Sequence, residues 1–144
     1  KLIEQIPCRR KGIMLDIGHL MHTDRSLSCL PDAARYIDAM IDAHGELSKH
    51  IHGVHLHQSL SGQYVENMLR ENIRLTGTGF DKLMEAYRHV MAIDTHRPFL
   101  DASIIPVLQK IAPQFLVYEF ITESRAQHED WLLKQRQTLL HQGE

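Results

Sequence analysis

Three apolar stretches of strand length each run into a residue that can bind a cation. They are GIMLDIGHL (12–20), IHGVHLHQS (51–59) and QFLVYEFIT (114–122). The first delivers Asp16 and His19, the second His55 and His57, and the third Glu119. A parallel strand buried on both faces rarely carries an ionisable side chain. The C-terminal ends of such strands are where open α/β sheets and α/β barrels build their sites. The pattern therefore predicts an α/β chain with parallel strands and a divalent-metal site, mononuclear or clustered, of which these residues form part.

The intervening segments fit that reading. Gly12 breaks an N-terminal helix tail or linker, and 13–17 reads as the first strand, followed by a polar loop over 18–30. Pro31 and Asp32 suit a first helical turn. Ala33, Tyr36, Ile37, Met40 and Ile41 then give an amphipathic stripe that Gly45 ends. In the second strand, 51–57, Val54 and Leu56 take one face while Gly53, His55 and His57 take the other. Tyr64, Val65, Met68 and Leu69 suit a short helix. Thr78 and Asp81 are spaced as a capping box for another, with Phe80, Leu83, Met84, Tyr87, Val90 and Met91 as its expected buried stripe. Ser103 is the expected cap of a helix through Ile111, and Pro113 closes it. The third strand follows, and Ser124 with Gln127 opens a last helix carrying Trp131, Leu132 and Leu139. The order β-α-β-α-α-α-β-α implies parallel pairing through crossovers.

Composition narrows the function. At 144 residues the chain has the length of one domain, and 43% apolar content is enough for a core. The net charge is -2, and apart from Arg9, Arg10 and Lys11 the basic residues are scattered, so no broad footprint for nucleic acid is expected. Cys8 and Cys29 allow one disulfide at most, and free thiols in a cytoplasmic setting are the expectation. No apolar run approaches the roughly 20 residues that span a bilayer. The first residue is Lys1 and a strand follows almost at once, so the chain reads as a fragment, and a missing signal peptide says little.

Each candidate ligand has a structural alternative. Asp16 and His19 form D-x-x-H, which equally describes an Asp capping a turn beside a solvated loop histidine. His55 and His57, two residues apart on a strand, stand roughly 7 Å apart on one face. One of them could instead be a hydrogen-bonded core histidine. Glu119 lies in an apolar run, where an unpaired carboxylate is costly to ionise, so it calls for a metal, a basic partner or a raised pKa. Together these oxygen and nitrogen donors suit manganese, zinc, cobalt or magnesium. The glycines of TGTGF (76–80) lack the lysine of a phosphate loop and read as a turn.

On LDIGH (15–19), VHLHQS (54–59) and LVYEF (116–120), the chain resembles the C-terminal part of the xylose isomerase-like TIM-barrel superfamily. That group includes ketose 3-epimerase-type sugar isomerases and the endonuclease IV-type AP endonucleases (AP endonuclease family 2). The resemblance implies a partial (β/α)8 barrel over 1–144, about half of the roughly 250 residues of a complete one. It implies metal ligands at Asp16, the H-x-H and Glu119; the epimerase pattern favours His57, the first choice, and the endonuclease pattern His55, which is kept beside it. His19 matches a histidine that binds metal in the endonucleases and lies near substrate in the isomerases. A glutamate carried on an earlier strand by these families would lie upstream of Lys1. Two departures weigh against DNA repair. Leu69 and Arg70, not Asp-x-His, precede Glu71, Asn72 and Ile73, and the Asp-x-His of Asp94 and His96 comes after the glycine turn.

The resulting expectation is a metal-dependent sugar or sugar-phosphate isomerase or epimerase acting on a small polyol. Glu119 and His19 would be its catalytic groups, and His19, His22 and Arg97 would hold substrate. The first alternative is an endonuclease-like phosphodiesterase with a metal cluster. The second is an inactive barrel sector that self-associates through its open edges.

Overall fold

In the computed structural model, residues 2–140 form a three-stranded parallel sheet with helices: a mixed α/β fold. The strands are β1 (Ile13–Asp16), β2 (Ile51–Leu56) and β3 (Phe115–Tyr118), and the sheet order is β1-β2-β3. The sheet is open, with β1 and β3 at its edges. The helices are α1 (Leu2–Gln5), α2 (Ile17–Met21), α3 (Leu30–His44), α4 (Gly62–Arg70), α5 (Gly79–Ile93), α6 (Ile104–Ile111) and α7 (Arg125–Leu140), with a 3-10 turn at Gly45–His50. None is long and apolar enough to cross a membrane.

Register explains what the two sheet faces carry. Leu15 pairs with Val54, and Val54 with Leu116, on the face that meets the helices. Val54 and Leu56 are fully buried there against Ile17, Ile37, Phe99 and Ile104, the centre of the core. Asp16 pairs with His55, and His55 with Val117, on the other face. Along that face Met14, Phe115 and Val117 stand exposed.

Several local expectations need correction. Ile17 is not the last strand residue, and the segment after it is not loop throughout, because α2 begins there. Asp16 is the α2 N-cap, its carboxylate accepting the His19 N–H, and Ile17 and Met21, four residues apart, drop into the core. The second strand stops at Leu56, so His57 lies just beyond it. The third strand stops at Tyr118 and is an exposed edge, not a strand buried on both faces. Neither Thr78 nor Ser103 caps with its side chain. At α6 the Asp101 carboxylate accepts the Ser103 N–H instead, at 2.9 Å.

Of the stripe expected to bury α5, Met84 and Met91 are half-buried and the other four face outward. Phe80, Leu83, Tyr87 and Val90 are exposed, and α5 has no buried residue. Its half-buried side carries Met84, Ala86, Met91, Ala92 and Ile93 beside the polar Glu85 and His89. The Glu85 carboxylate accepts the N–H groups of Thr76 and Gly77 at 2.9 and 3.2 Å, and Tyr64 of α4 bonds His89 Nδ1 at 2.5 Å. The opening of α7 follows expectation. Ser124 Oγ accepts the Gln127 N–H at 3.2 Å, and the Gln127 side chain accepts the Glu123 N–H at 2.7 Å. Cys8 and Cys29 are free and exposed.

Candidate metal centre

The strand ends bring Asp16, His55 and Glu119 together. His55 Nδ1 lies 2.9 Å from Glu119 Oε2 and 3.4 Å from Asp16 Oδ2. Donors around a tetrahedral ion with bonds near 2.0–2.2 Å are separated by about 3.3–3.6 Å; the His55–Asp16 pair has that spacing, and the His55–Glu119 pair sits at hydrogen-bond distance and would open by about 0.4 Å around a shared cation. His57, fully buried, reaches the same aspartate from behind, Nε2 to Asp16 Oδ1 at 2.9 Å. Both histidines of H-x-H thus converge on one carboxylate, His55 half-exposed and His57 sealed in.

Gly18 makes that burial feasible, since a Cβ there would fall inside the His57 ring. The Nδ1 atom of His57 is buried without a hydrogen-bond partner. Such an atom is rare in a folded protein and calls for an explanation.

His19 curls back from α2, and its Nε2 lies 3.0 Å from Asp94 Oδ2. Asp94 and His96 follow α5 and complete the group, with His96 Nε2 also 3.0 Å from Asp94 Oδ2. The His96 ring stacks on that of His57, centroids 3.8 Å apart and planes 9° apart. His96 Nδ1 faces the Glu119 carbonyl oxygen at 3.0 Å. A carbonyl only accepts, so Nδ1 carries the proton and Nε2 meets Asp94 as a second acceptor unless a cation, a proton or a metal, lies between them. The donor atoms of His19, Asp94 and His96 lie within 4.8 Å of one another, as do those of His57, His96 and Glu119, and those of Asp16, His55 and Glu119.

The Asp94–His96 turn is held from several sides. Gln58 and Arg97 exchange backbone hydrogen bonds at 2.7 and 3.0 Å, forming an isolated antiparallel bridge. Ser59 Oγ accepts the N–H groups of Thr95 and His96 and donates to Asp94 Oδ1. His96 itself sits at φ +45°, in the left-handed region. A non-glycine residue held there marks a turn whose surroundings over-determine it, a situation common at functional sites.

Electrostatics follow from these contacts. Burial opposes ionisation of Asp16, but the His57 hydrogen bond, the His19 N–H and the charges of both rings outweigh it and hold the carboxyl far below the usual range. Burial likewise opposes Asp94, and His19 and His96 hold its carboxyl low. His19 loses some solvation, yet Asp94, Asp16 and Glu119 raise its pKa. Burial lowers that of His22, whose Nε2 donates to the Ile93 carbonyl at 3.2 Å.

Of the residues expected in the site, Asp16, His19, His55, His57 and Glu119 meet. His22 stands behind His19 with ring centroids 5.7 Å apart. Arg97 is placed differently. Its backbone bridges Gln58, but its exposed guanidinium makes no hydrogen bond or ion pair among the described residues. Glu119 is not confined in an apolar interior, since its side chain is 43% exposed and His55 is its partner. Asp94 and His96 were legible as Asp-x-His, but their place after the glycine turn set them apart from the strand-end ligands. Comparison with known protein families, characterised proteins and solved structures finds no match to this chain.

Proposed function

We propose that this chain is the C-terminal sector of a (β/α)8-type barrel and carries most of the metal centre of a sugar or sugar-phosphate isomerase or epimerase. The observation that carries the metal reading is the convergence of Asp16, His55 and Glu119 at the C-terminal ends of three consecutive parallel strands. A sequential parallel sheet with helices on one face and a cation site on the other is what such a sector would supply.

Asp16, His55 and Glu119 would hold the divalent ion, with His57 positioning Asp16 through their hydrogen bond. When bound, the metal would act as a Lewis acid toward two neighbouring substrate oxygens. Glu119, half in solvent, is placed to accept a proton from a substrate carbon as well as to ligate. His19, 56% exposed and held toward its protonated form, is placed to donate a hydrogen bond to a substrate oxygen. Arg97 would take a phosphate or terminal hydroxyl only by swinging its free guanidinium inward.

A second reading is a phosphodiesterase with clustered metals, of the endonuclease kind. It is favoured by the His19–Asp94–His96 group, which offers a second cation site beside the first. Metal analysis of the purified chain separates the two. One ion per chain, lost in Asp16→Ala and Glu119→Ala but kept in Asp94→Asn, supports the isomerase reading. Two or three ions, with one lost in Asp94→Asn, supports the cluster. Full metal content in both Asp16→Ala and Glu119→Ala refutes the site. Turnover of ketoses against cleavage of abasic DNA then tests each chemistry directly.

A further inference from the structure

Between the strand that carries His55 and the turn that carries Asp94 and His96, the chain makes a two-helix excursion through α4 and α5. None of residues 62–93 is buried. Yet the chain returns to the rim with contacts of 3.0 Å from Asp94 to His19 and to His96. What holds that return lies at residues 58–59, directly after His57. Gln58 and Arg97 exchange backbone hydrogen bonds, and the Thr95 hydroxyl donates to the Gln58 carbonyl at 3.3 Å. Ser59, buried at 2% exposure, completes the hold with one hydroxyl. Its Oγ accepts the Thr95 N–H at 3.0 Å and the His96 N–H at 3.3 Å, and donates to Asp94 Oδ1 at 3.4 Å. A serine hydroxyl offers one proton and two lone pairs. All three are used here, and all three fall on residues 94–96.

We propose that Ser59 is a positioning residue of the metal centre, a role that rests on the metal reading above. By accepting two successive N–H groups, it holds His96 at φ +45°, a left-handed conformation that a non-glycine residue keeps only with such support. In that conformation the His96 ring lies on His57, centroids 3.8 Å apart, and its Nδ1 donates to the Glu119 carbonyl at 3.0 Å. By occupying Oδ1 of Asp94, the hydroxyl leaves Oδ2 to the imidazoles of His19 and His96. Ser59 thus acts on Glu119 through His96 and on His19 through Asp94. Alanine would leave two N–H groups without their acceptor. The turn would then relax toward negative φ and draw His96 away from both His57 and Glu119.

Zinc titration of the full chain against a competing chelator, with aromatic NMR of the metal-free chain, tests this. In Ser59→Ala the affinity for zinc should fall about tenfold to a hundredfold, and the cross-peaks between the stacked His57 and His96 rings should vanish. Ile37→Val, in the core on α3, lowers stability without touching the turn. It should keep both signals, which separates positioning from destabilisation. Unchanged zinc affinity in Ser59→Ala overturns the proposal. Intact cross-peaks in that variant do so too, because the turn would then be held without the hydroxyl. Should Ser59→Ala misfold, Ser59→Cys decides. It fills the space with a weak acceptor, and wild-type zinc affinity in it also overturns the role. A wild-type chain that takes up no zinc overturns the metal reading and this role together, whereas the other outcomes overturn Ser59 alone.

Discussion

Gln135→Leu is expected to destabilise this chain out of proportion to the volume it changes. Gln135 is fully buried on α7, and its amide clamps one backbone unit: its Oε1 accepts the Phe99 N–H at 2.6 Å, and its Nε2 donates to the Phe99 carbonyl at 3.0 Å. Phe99 is itself fully buried. Leucine keeps most of the volume and removes both bonds, leaving a buried donor and a buried acceptor without partners. At about 1–3 kcal/mol for each buried group left unsatisfied, the expected loss is roughly 2–6 kcal/mol. That is a large fraction of the roughly 5–15 kcal/mol typical of a domain. In urea, with a slope of about 1–3 kcal/mol per molar, the midpoint should fall by about 1–2 M. The clamp also anchors the chain three residues beyond His96, so the variant should disturb the His19–Asp94–His96 contacts, read from histidine NMR shifts, before it loses fold. A loss below about 1 kcal/mol in denaturant titrations followed by circular dichroism would falsify the account, because water or a shifted backbone would then be satisfying Phe99.

Gly18→Ala should displace the His57 ring, since the added methyl occupies its place. A loss of about 1–3 kcal/mol in thermal melts is expected, and the Asp16–His57 coupling should disappear from histidine NMR titrations. Without added metal, stability should depend on pH in two windows. Asp16 and Asp94 have depressed folded pKa values, so their contribution is present above about pH 4, the unfolded carboxylate value, and fades as pH falls below it. His19 has a raised pKa, so its contribution is full below about pH 6.5 and fades as pH rises through the folded value, while the lowered pKa of His22 acts in the opposite sense. Urea midpoints measured from pH 3 to 9 that rise steadily across the whole range, in place of a maximum, would contradict this. Ala112 closes α6 at φ +48°, so Ala112→Gly should stabilise by about 0.5–1 kcal/mol, and a lower melting temperature would speak against the left-handed cap.

Much of the site was readable because strand ends are written in local chemistry. Apolar runs set off by Gly12, by the helix end at Gly45 and by Pro113 located the three strands, and their parallel pairing then brought Asp16, His55 and Glu119 to one rim. What escaped was set by contacts distant in sequence. Asp94 and His96 reach the rim through the Gln58–Arg97 bridge and a left-handed turn, and neither leaves a periodic signal. The period of α5 correctly announced an amphipathic helix, but periodicity does not say which side meets the protein. Glu85 and His89 take part in that through bonds to residues 8 to 25 positions away, together with the half-buried Met84, Met91 and Ile93. The apolar character of β3 suggested burial, yet an edge position leaves such a strand exposed, and sequence does not distinguish edge from centre.

Glu119 is gripped twice, its carboxylate by His55 and its carbonyl by His96, while Phe115 at the other end of β3 has little over it. The edge strand is therefore tied through side-chain contacts at its far end, whereas at its near end it is held by backbone alone, the Gln114 N–H donating to the His52 carbonyl at 2.8 Å. Thermal fraying should open it from Phe115 upward, so that amide exchange slows stepwise toward Tyr118. Removing either imidazole should then speed exchange most at Tyr118, with the pairing of Phe115 to β2 left in place.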